Sequence, residues 1–118
     1  MAAATTHKVL IVDDSPSDRE LIRAMLHPAF RTLEAHSIES GLDEFRREHP
    51  DCVLLDHHMP GASGIDGLIE FVRERAVVVM VSGSDSEELA AEAIKRGAHD
   101  FLRKDQLTKR TLLRTITR

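Results

Sequence analysis

A strand followed at once by the start of a helix is predicted for residues 8–20, KVLIVDDSPSDRE. The apolar run at 9–12 is short, rich in β-branched residues and free of polar alternation, which is typical of a strand buried on both faces in a parallel sheet. Ser15 is a favoured helix-capping residue, Pro16 suits a first helical turn, and acidic residues follow. The stretch therefore predicts a buried strand that leads directly into a helix.

The same alternation continues along the chain. Apolar or β-branched runs predict four further strands, at 32–35, 52–55, 77–81 and 99–102. Apolar residues at helical spacing predict five helices, from 15 to about 26, at 37–48, at 65–75, from just after Ser86 to Gly97 and from Leu107 onward. The second helix should end at the His49-Pro50 pair, because a residue that precedes proline is disfavoured in helical conformation.

Five strands that alternate with five helices predict an α/β fold. Successive parallel strands need right-handed crossovers, which place helices on both faces of the sheet. We therefore expect a three-layer, doubly wound, five-stranded parallel sheet with two helices on one face and three on the other. The first and last helices should share a face.

Composition limits the function classes. The chain has 118 residues, of which 42% are hydrophobic and 31% charged, enough for one core. A net charge of −4 and scattered basic residues argue against direct nucleic-acid binding. No apolar stretch approaches the ~20 residues of a membrane span, and the one cysteine, Cys52, suits a reducing compartment. We expect a cytoplasmic protein without membrane contact, with a disordered tail at 1–6 and one domain at 7–118 that could belong to a longer chain.

Polar side chains follow the predicted strands where each strand ends. Asp13 and Asp14 follow the first strand, Asp56 the third, Ser82 ends the fourth and Lys104 follows the fifth. Ligands of doubly wound sheets bind outside the carboxyl ends of the strands. Each group alone has an ordinary interpretation, as a helix cap, a turn residue or a surface lysine. Their joint placement at one edge of the sheet favours a functional site.

The residue types in this set suit phosphoryl chemistry. Neighbouring carboxylates repel one another unless a proton or a cation intervenes, and an open site of oxygen ligands favours Mg²⁺. Lys104 and Ser82 offer donors to phosphoryl oxygens. Asp56 can act as a nucleophile, because an aspartate can carry a phosphoryl group as an acyl phosphate.

Four segments resemble bacterial two-component response-regulator receiver domains, in particular those of chemotaxis-regulator type. The resemblance is found in residues 9–15 (VLIVDDS), 51–61 (DCVLLDHHMPG), 82–84 (SGS) and 97–104 (GAHDFLRK). It extends from about residue 8 to the end of the chain. The resemblance implies a (βα)5 flavodoxin-like fold with the strand order 2-1-3-4-5.

The resemblance also implies a phosphoacceptor and a metal site. Asp56 would accept a phosphoryl group from a sensor histidine kinase or a phosphotransfer protein. Asp13, Asp14 and Asp56 would hold Mg²⁺ together with the backbone carbonyl of His58. The domain would then be a self-phosphorylating signalling switch and not a turnover enzyme.

Further roles implied by the resemblance concern the response to phosphorylation. Lys104 and Ser82 would bind the phosphoryl oxygens, and Phe101 would be the switch aromatic, turning inward as Ser82 moves toward the phosphate. The surface formed by the fourth helix, the fifth strand and the fifth helix would change. That surface would contact a downstream output domain or protein, or a second copy of the chain in a homodimer.

Three features depart from the family pattern. Asp105 follows Lys104 where many members have proline, so we expect a trans or a strained peptide bond there. Asp105 is also a candidate cap for the last helix.

The imidazoles of His57 and His58 could bind a transition metal, although adjacent loop side chains usually diverge. His58 could instead tune the lifetime of the acyl phosphate. Phe101 replaces tyrosine, so its ring should be largely buried without phosphate.

Two other functions compete with signalling. One is a Mg²⁺-dependent phosphotransferase or phosphatase with an aspartate nucleophile. That class often places two acids two residues apart at the first strand, whereas Asp13 and Asp14 are adjacent. The other is a receiver-like interaction domain without phosphorylation, which would be expected to lack an acid or the lysine, whereas Asp56 and Lys104 are both present.

Overall fold

The predicted strands form one parallel sheet. The computed structural model describes residues 7–59, 62–83 and 86–117. Within these ranges the sheet strands are β1 (Lys8–Val12), β2 (Arg31–Ala35), β3 (Cys52–Asp56), β4 (Val78–Ser82) and β5 (Asp100–Arg103). They are arranged in the order β2-β1-β3-β4-β5, which confirms the predicted five-stranded sheet and its strand order.

Five α-helices in the described ranges connect or follow these strands. They are α1 (Pro16–Leu26), α2 (Ile38–Glu48), α3 (Gly64–Arg73), α4 (Glu87–Lys95) and α5 (Lys109–Thr117). Each of the first four helices is preceded by a serine whose side chain accepts a hydrogen bond from the backbone amide three residues later; these serines are Ser15, Ser37, Ser63 and Ser86. After α2, His49 has a left-handed conformation with φ of 50°, in agreement with the predicted helix end before Pro50.

The start of the last helix differs from the prediction. A 3-10 turn, Lys104–Gln106, follows β5, and α5 begins two residues later than expected. Thr108 Oγ1 accepts a hydrogen bond from the Thr111 amide at 3.1 Å and so caps the helix. The prediction that Asp105 caps this helix is wrong, because its carboxylate pairs with Arg103 at 2.6 Å instead.

The core lies in two layers on opposite faces of the sheet. Alternate residues of β1 point to opposite sides, so Val9 and Ile11 pack with Ile22 of α1 and Leu112 of α5. Leu10 and Val12 belong to the other layer, which contains apolar residues of α2, α3 and α4. Two helices therefore cover one face and three the other, and the first and last helices share a face as predicted.

A short antiparallel pair between β3 and α3 was not predicted. Its strands are His58–Met59 and Ala62–Ser63. The pair brings the start of α3 back against the residue that follows β3. Gly64 permits this approach, because a Cβ at this position would lie 2.5 Å from both the Cα and the carbonyl oxygen of His57.

The predicted tail at 1–6, and residues 60–61, 84–85 and 118, lie outside the described residues. None of the helices in the described part of the chain has the length and apolar character that would let it cross a bilayer.

Replacing Gly64 with alanine is expected to destabilise the fold by about 1–3 kcal/mol, because the added methyl group overlaps backbone atoms that cannot rotate away. Urea unfolding monitored by circular dichroism measures this change in the free energy of unfolding. Gly83→Ala is the matched control, since a Cβ at position 83 meets no described atom within 4 Å. Equal stabilities of the two variants would contradict the proposed close contact.

Candidate functional site

Three carboxylates meet at the carboxyl ends of β1 and β3. One carboxylate oxygen from each of Asp13, Asp14 and Asp56 lies within 4.8 Å of the others. Asp13 is 1% exposed and Asp56 is 3% exposed, whereas Asp14 is exposed to solvent. The predicted grouping of these acids is therefore present, and two of its members are buried.

Short-range hydrogen bonds orient the two buried carboxylates. The Asp13 amide donates to the Ala35 carbonyl of β2 at 3.0 Å, and Asp13 Oδ1 accepts from the Ser15 amide at 2.9 Å. Asp56 is the last residue of β3, and its Oδ1 accepts from the His58 amide at 3.2 Å. Each carboxylate therefore has one oxygen engaged locally and the other directed toward the shared site.

Lys104 supplies the positive charge of the site. Its Nζ lies 3.0 Å from Asp13 Oδ2 and 3.4 Å from Asp56 Oδ2. The same Nζ donates a hydrogen bond to Asp18 Oδ2 at 2.8 Å. Asp18 belongs to the first turn of α1, and the sequence singled it out only as an acid at a helix start. Its place in the first turn of the helix that follows Asp13 and Asp14 was the available signal.

The charge balance shifts the pKa values of two groups. Burial, and then the charge of Asp13, raise the pKa of Asp56 from 3.8 to about 6, although the His58 amide and Lys104 oppose the shift. Burial lowers the pKa of Lys104, but the carboxylates of Asp18, Asp13 and Asp56 more than offset this effect, so its pKa is raised. The lysine therefore stays charged while the neighbouring carboxylates remain incompletely neutralised.

The donor set fits a hard cation. Every ligand atom of the cluster is a carboxylate oxygen, the type that Mg²⁺ and Ca²⁺ prefer. Asp13 Oδ2 is buried, and its polar contact within the described part of the chain is with Lys104 Nζ at 3.0 Å. Because that lysine is shared with two other carboxylates, this oxygen retains capacity to bind a cation. The imidazoles of His57 and His58 are not part of this metal-binding group of the described residues.

A cleft opens beside Asp56, between the residues after β3 and the end of β4. It has a volume of about 460 Å³ and is lined by His57, His58, Ser82 and Gly83. Ser82 is buried, and it follows Val81, the residue paired with Asp56 in the sheet. The predicted serine therefore lies at the same edge of the sheet as the acids. In the same cleft, burial, and then the charge of His58, lower the pKa of His57.

Phe101 is intermediate in burial. The ring packs against the core layer of α2, α3 and α4, and it also lines a groove of about 330 Å³ with residues of α4 and α5. Most of the residue is covered by the protein, in agreement with the prediction of a largely buried ring.

The bond after Lys104 has the expected form. Among the described residues, the one cis peptide bond is His27–Pro28, so the Lys104–Asp105 bond is trans. The side chain of Lys104 reaches the acids without the proline of the family pattern.

The strand order and the helices on both faces of the sheet define the CheY-like α/β fold. The family model of the response regulator receiver domain matches residues 9–117. The chain belongs to this family, the receiver domains of two-component signalling systems.

Similar proteins support this assignment. PilH of Pseudomonas aeruginosa is 33% identical over 114 residues, which cover 92% of this chain and 93% of PilH. The response regulator PilR of the same species is 36% identical over 101 residues, but these cover 82% of this chain and only 22% of PilR. A chain from the crystal structure of the CheX–CheY–BeF3–Mg²⁺ complex of Borrelia burgdorferi superposes with a TM-score of 0.85 at 26% identity, covering 94% of this chain and 87% of that one.

Replacing Asp56 with asparagine is expected to stabilise the protein near neutral pH when divalent cations are absent. Folding raises the pKa of Asp56 from 3.8 to about 6, so the unfolded chain loses this proton at a lower pH than the folded chain. The stability contributed by the group is present in full below the ordinary pKa and is lost as the pH rises through about 6. In a chelator at neutral pH, Asp56→Asn should be more stable by about 1–3 kcal/mol in urea unfolding.

The advantage of Asp56→Asn should shrink toward zero near pH 4, where the carboxyl group is protonated in the folded chain. Asp43→Asn, at an exposed position of α2, removes a carboxylate without burial and should show no such pH dependence. An advantage of equal size at both pH values would contradict this explanation.

Proposed function

We propose that this receiver domain accepts a phosphoryl group on Asp56 from the histidine of a sensor kinase or a phosphotransfer protein, in a Mg²⁺-dependent reaction. The observation that supports this most directly is the convergence of Lys104 on the buried carboxylates of Asp13 and Asp56. A buried carboxylate beside a fixed cation and an open cleft is a suitable nucleophile for phosphoryl transfer.

The proposed transfer exchanges one bond to phosphorus for another. A carboxylate oxygen of Asp56 attacks the phosphorus atom as the bond between phosphorus and the donor's imidazole nitrogen breaks. The imidazole leaves with the electron pair of that bond. The raised pKa of Asp56, about 6, still leaves the carboxylate ionised and nucleophilic near neutral pH.

Mg²⁺ would be held by Asp13, Asp14 and Asp56, together with the backbone carbonyl of His58. When bound, the ion supplies positive charge that offsets the repulsion between the acids and the incoming phosphoryl oxygens. The proposal is supported by the buried oxygen of Asp13, which meets only a lysine that it shares with two other carboxylates in the described part of the chain. The similar structure from Borrelia burgdorferi is that of a complex that includes Mg²⁺.

Lys104 and Ser82 would bind the phosphoryl oxygens on Asp56. The ammonium group has three donors and can contact a phosphoryl oxygen while it keeps one carboxylate partner. Ser82 lies at the end of β4, next to the cleft beside Asp56, and its hydroxyl can rotate to donate. Both groups would stabilise charge that develops on the transferred group.

Phosphorylation would change the surface formed by α4, β5 and α5. Phe101 connects this surface to the core, because its ring packs on the core and lines the groove between α4 and α5. Movement of Ser82 toward the phosphoryl group would leave room for the ring to turn inward. An output domain, a separate target protein or a second copy of the chain would recognise the altered surface. The chain spans less than a quarter of PilR, so an attached output domain is part of this proposal.

Incubation with acetyl phosphate should add one phosphoryl group to the intact protein, as measured by mass spectrometry. The gain should need Mg²⁺ and should vanish in Asp56→Asn, because the amide is not a nucleophile of comparable strength. Asp43→Asn is the control, since it removes an exposed carboxylate away from the site. A folded wild-type protein that gains no mass in the presence of Mg²⁺ would refute the proposed function and favour an interaction domain without phosphorylation.

His58 is proposed to influence how long the phosphoryl group persists. Its side chain is exposed at the rim of the cleft beside Asp56, where it can restrict or orient an attacking water molecule. His58→Ala should change the rate of phosphoryl loss from Asp56 by about two-fold or more, measured by intact mass after removal of the donor. An unchanged rate would contradict this role, while an exposed substitution such as His36→Ala provides the baseline.

A further inference from the structure

We infer that Asp18 is a positioning residue that holds Lys104 on α1 and competes with the phosphoryl group for it. This inference rests on the proposed phosphorylation of Asp56. Lys104 contacts three carboxylates at unequal distances, and Asp56, the proposed phosphoacceptor, is the farthest of the three.

The ammonium group lies nearer to α1 than to the phosphoacceptor. Lys104 Nζ donates to Asp18 Oδ2 at 2.8 Å, lies 3.0 Å from Asp13 Oδ2 and is 3.4 Å from Asp56 Oδ2. The contact with Asp56 is the longest of the three. A phosphoryl group on Asp56 therefore has to draw the lysine away from partners that it already has.

The first turn of α1 fixes Asp18 in this position. Ser15 Oγ accepts a hydrogen bond from the Asp18 amide at 3.3 Å. The next residue, Arg19, donates from Nη1 to the Asp13 carbonyl at 2.6 Å and from Nε to Glu34 Oε1 at 3.0 Å. The helix start is thus attached to the ends of β1 and β2, and it presents the carboxylate to the lysine at a defined place.

Asp18 differs from the other two partners of the lysine in its exposure. Its side chain is 40% exposed, whereas those of Asp13 and Asp56 are 2% and 4% exposed. When the lysine leaves, the Asp18 carboxylate can be hydrated, but the buried carboxylates cannot. Asp18 is therefore the partner that the lysine can exchange at low cost for phosphoryl oxygens.

The same contact has the opposite consequence for cation binding. Asp18 draws the lysine's charge away from the oxygens of Asp13 and Asp56 that would hold Mg²⁺. Without Asp18, the lysine would pair more closely with those oxygens and compete with the cation. Loss of the Asp18 charge should therefore weaken Mg²⁺ binding and, once the site is saturated with Mg²⁺, speed the transfer. A purely structural role would not produce these opposite changes.

Asp18→Asn tests this inference against Glu20→Gln, which removes an exposed carboxylate of the same helix that has no polar partner among the described residues. In Asp18→Asn, the rate of phosphorylation by acetyl phosphate at saturating Mg²⁺ should rise about two- to five-fold, the range for a partly exposed ion pair. The dissociation constant of Mg²⁺ should rise by a similar factor. Calorimetry is the suitable binding assay, because the chain has no Trp or Tyr for fluorescence.

Asp18→Glu, which keeps the charge, should stay closer to wild type than Asp18→Asn does, and Glu20→Gln should leave the rate unchanged. If the wild type is phosphorylated and Asp18→Asn is phosphorylated no faster than it, the inference is overturned and the proposed function is left intact. A wild-type protein that is not phosphorylated would overturn both. Thermal unfolding of each variant shows whether a changed rate accompanies a loss of folded protein.

Discussion

The contact of one ammonium group with three carboxylates is the interaction on which the rest of the site depends. Lys104 follows β5, two strands away from β3, and its long side chain reaches Asp13, Asp18 and Asp56. One positive charge does not neutralise this set, and burial, followed by the charge of Asp13, raises the pKa of Asp56. The site therefore has excess negative charge that a further cation can neutralise. The proposed phosphoryl transfer depends on such a cation.

The fold supports this imbalance by burying the strands on both faces. The residues of β1, β3 and β4 are almost all inaccessible to water, so Asp13 and Asp56 extend from a rigid apolar layer and cannot move apart to reduce their repulsion. The start of α1 and the short antiparallel pair after β3 hold the flanking backbone in place. The packing of the core thus offsets the unfavourable free energy of bringing these acids together.

Much of this arrangement could be predicted from the sequence, because its signals are local. Continuous apolar runs indicate doubly buried strands, Ser15 and Ser37 mark helix starts, and the groups at strand ends must meet at one edge of a parallel sheet. What was missed depends on contacts between distant parts of the chain. Asp105 pairs with Arg103 and so does not cap α5, and the role of Asp18 depends on its contact with Lys104.

The acids of the cluster lie at the ends of two different strands, with a helix, a strand and another helix between them along the chain. Their carboxylates meet only after the sheet has formed, so an unfolded chain offers no comparable site. A cation held there would be bound by the folded state alone, and its binding free energy would add to the free energy of unfolding. The supply of divalent ions would then govern the turnover of the domain by proteases as well as its chemistry, since proteolysis acts on the unfolded population.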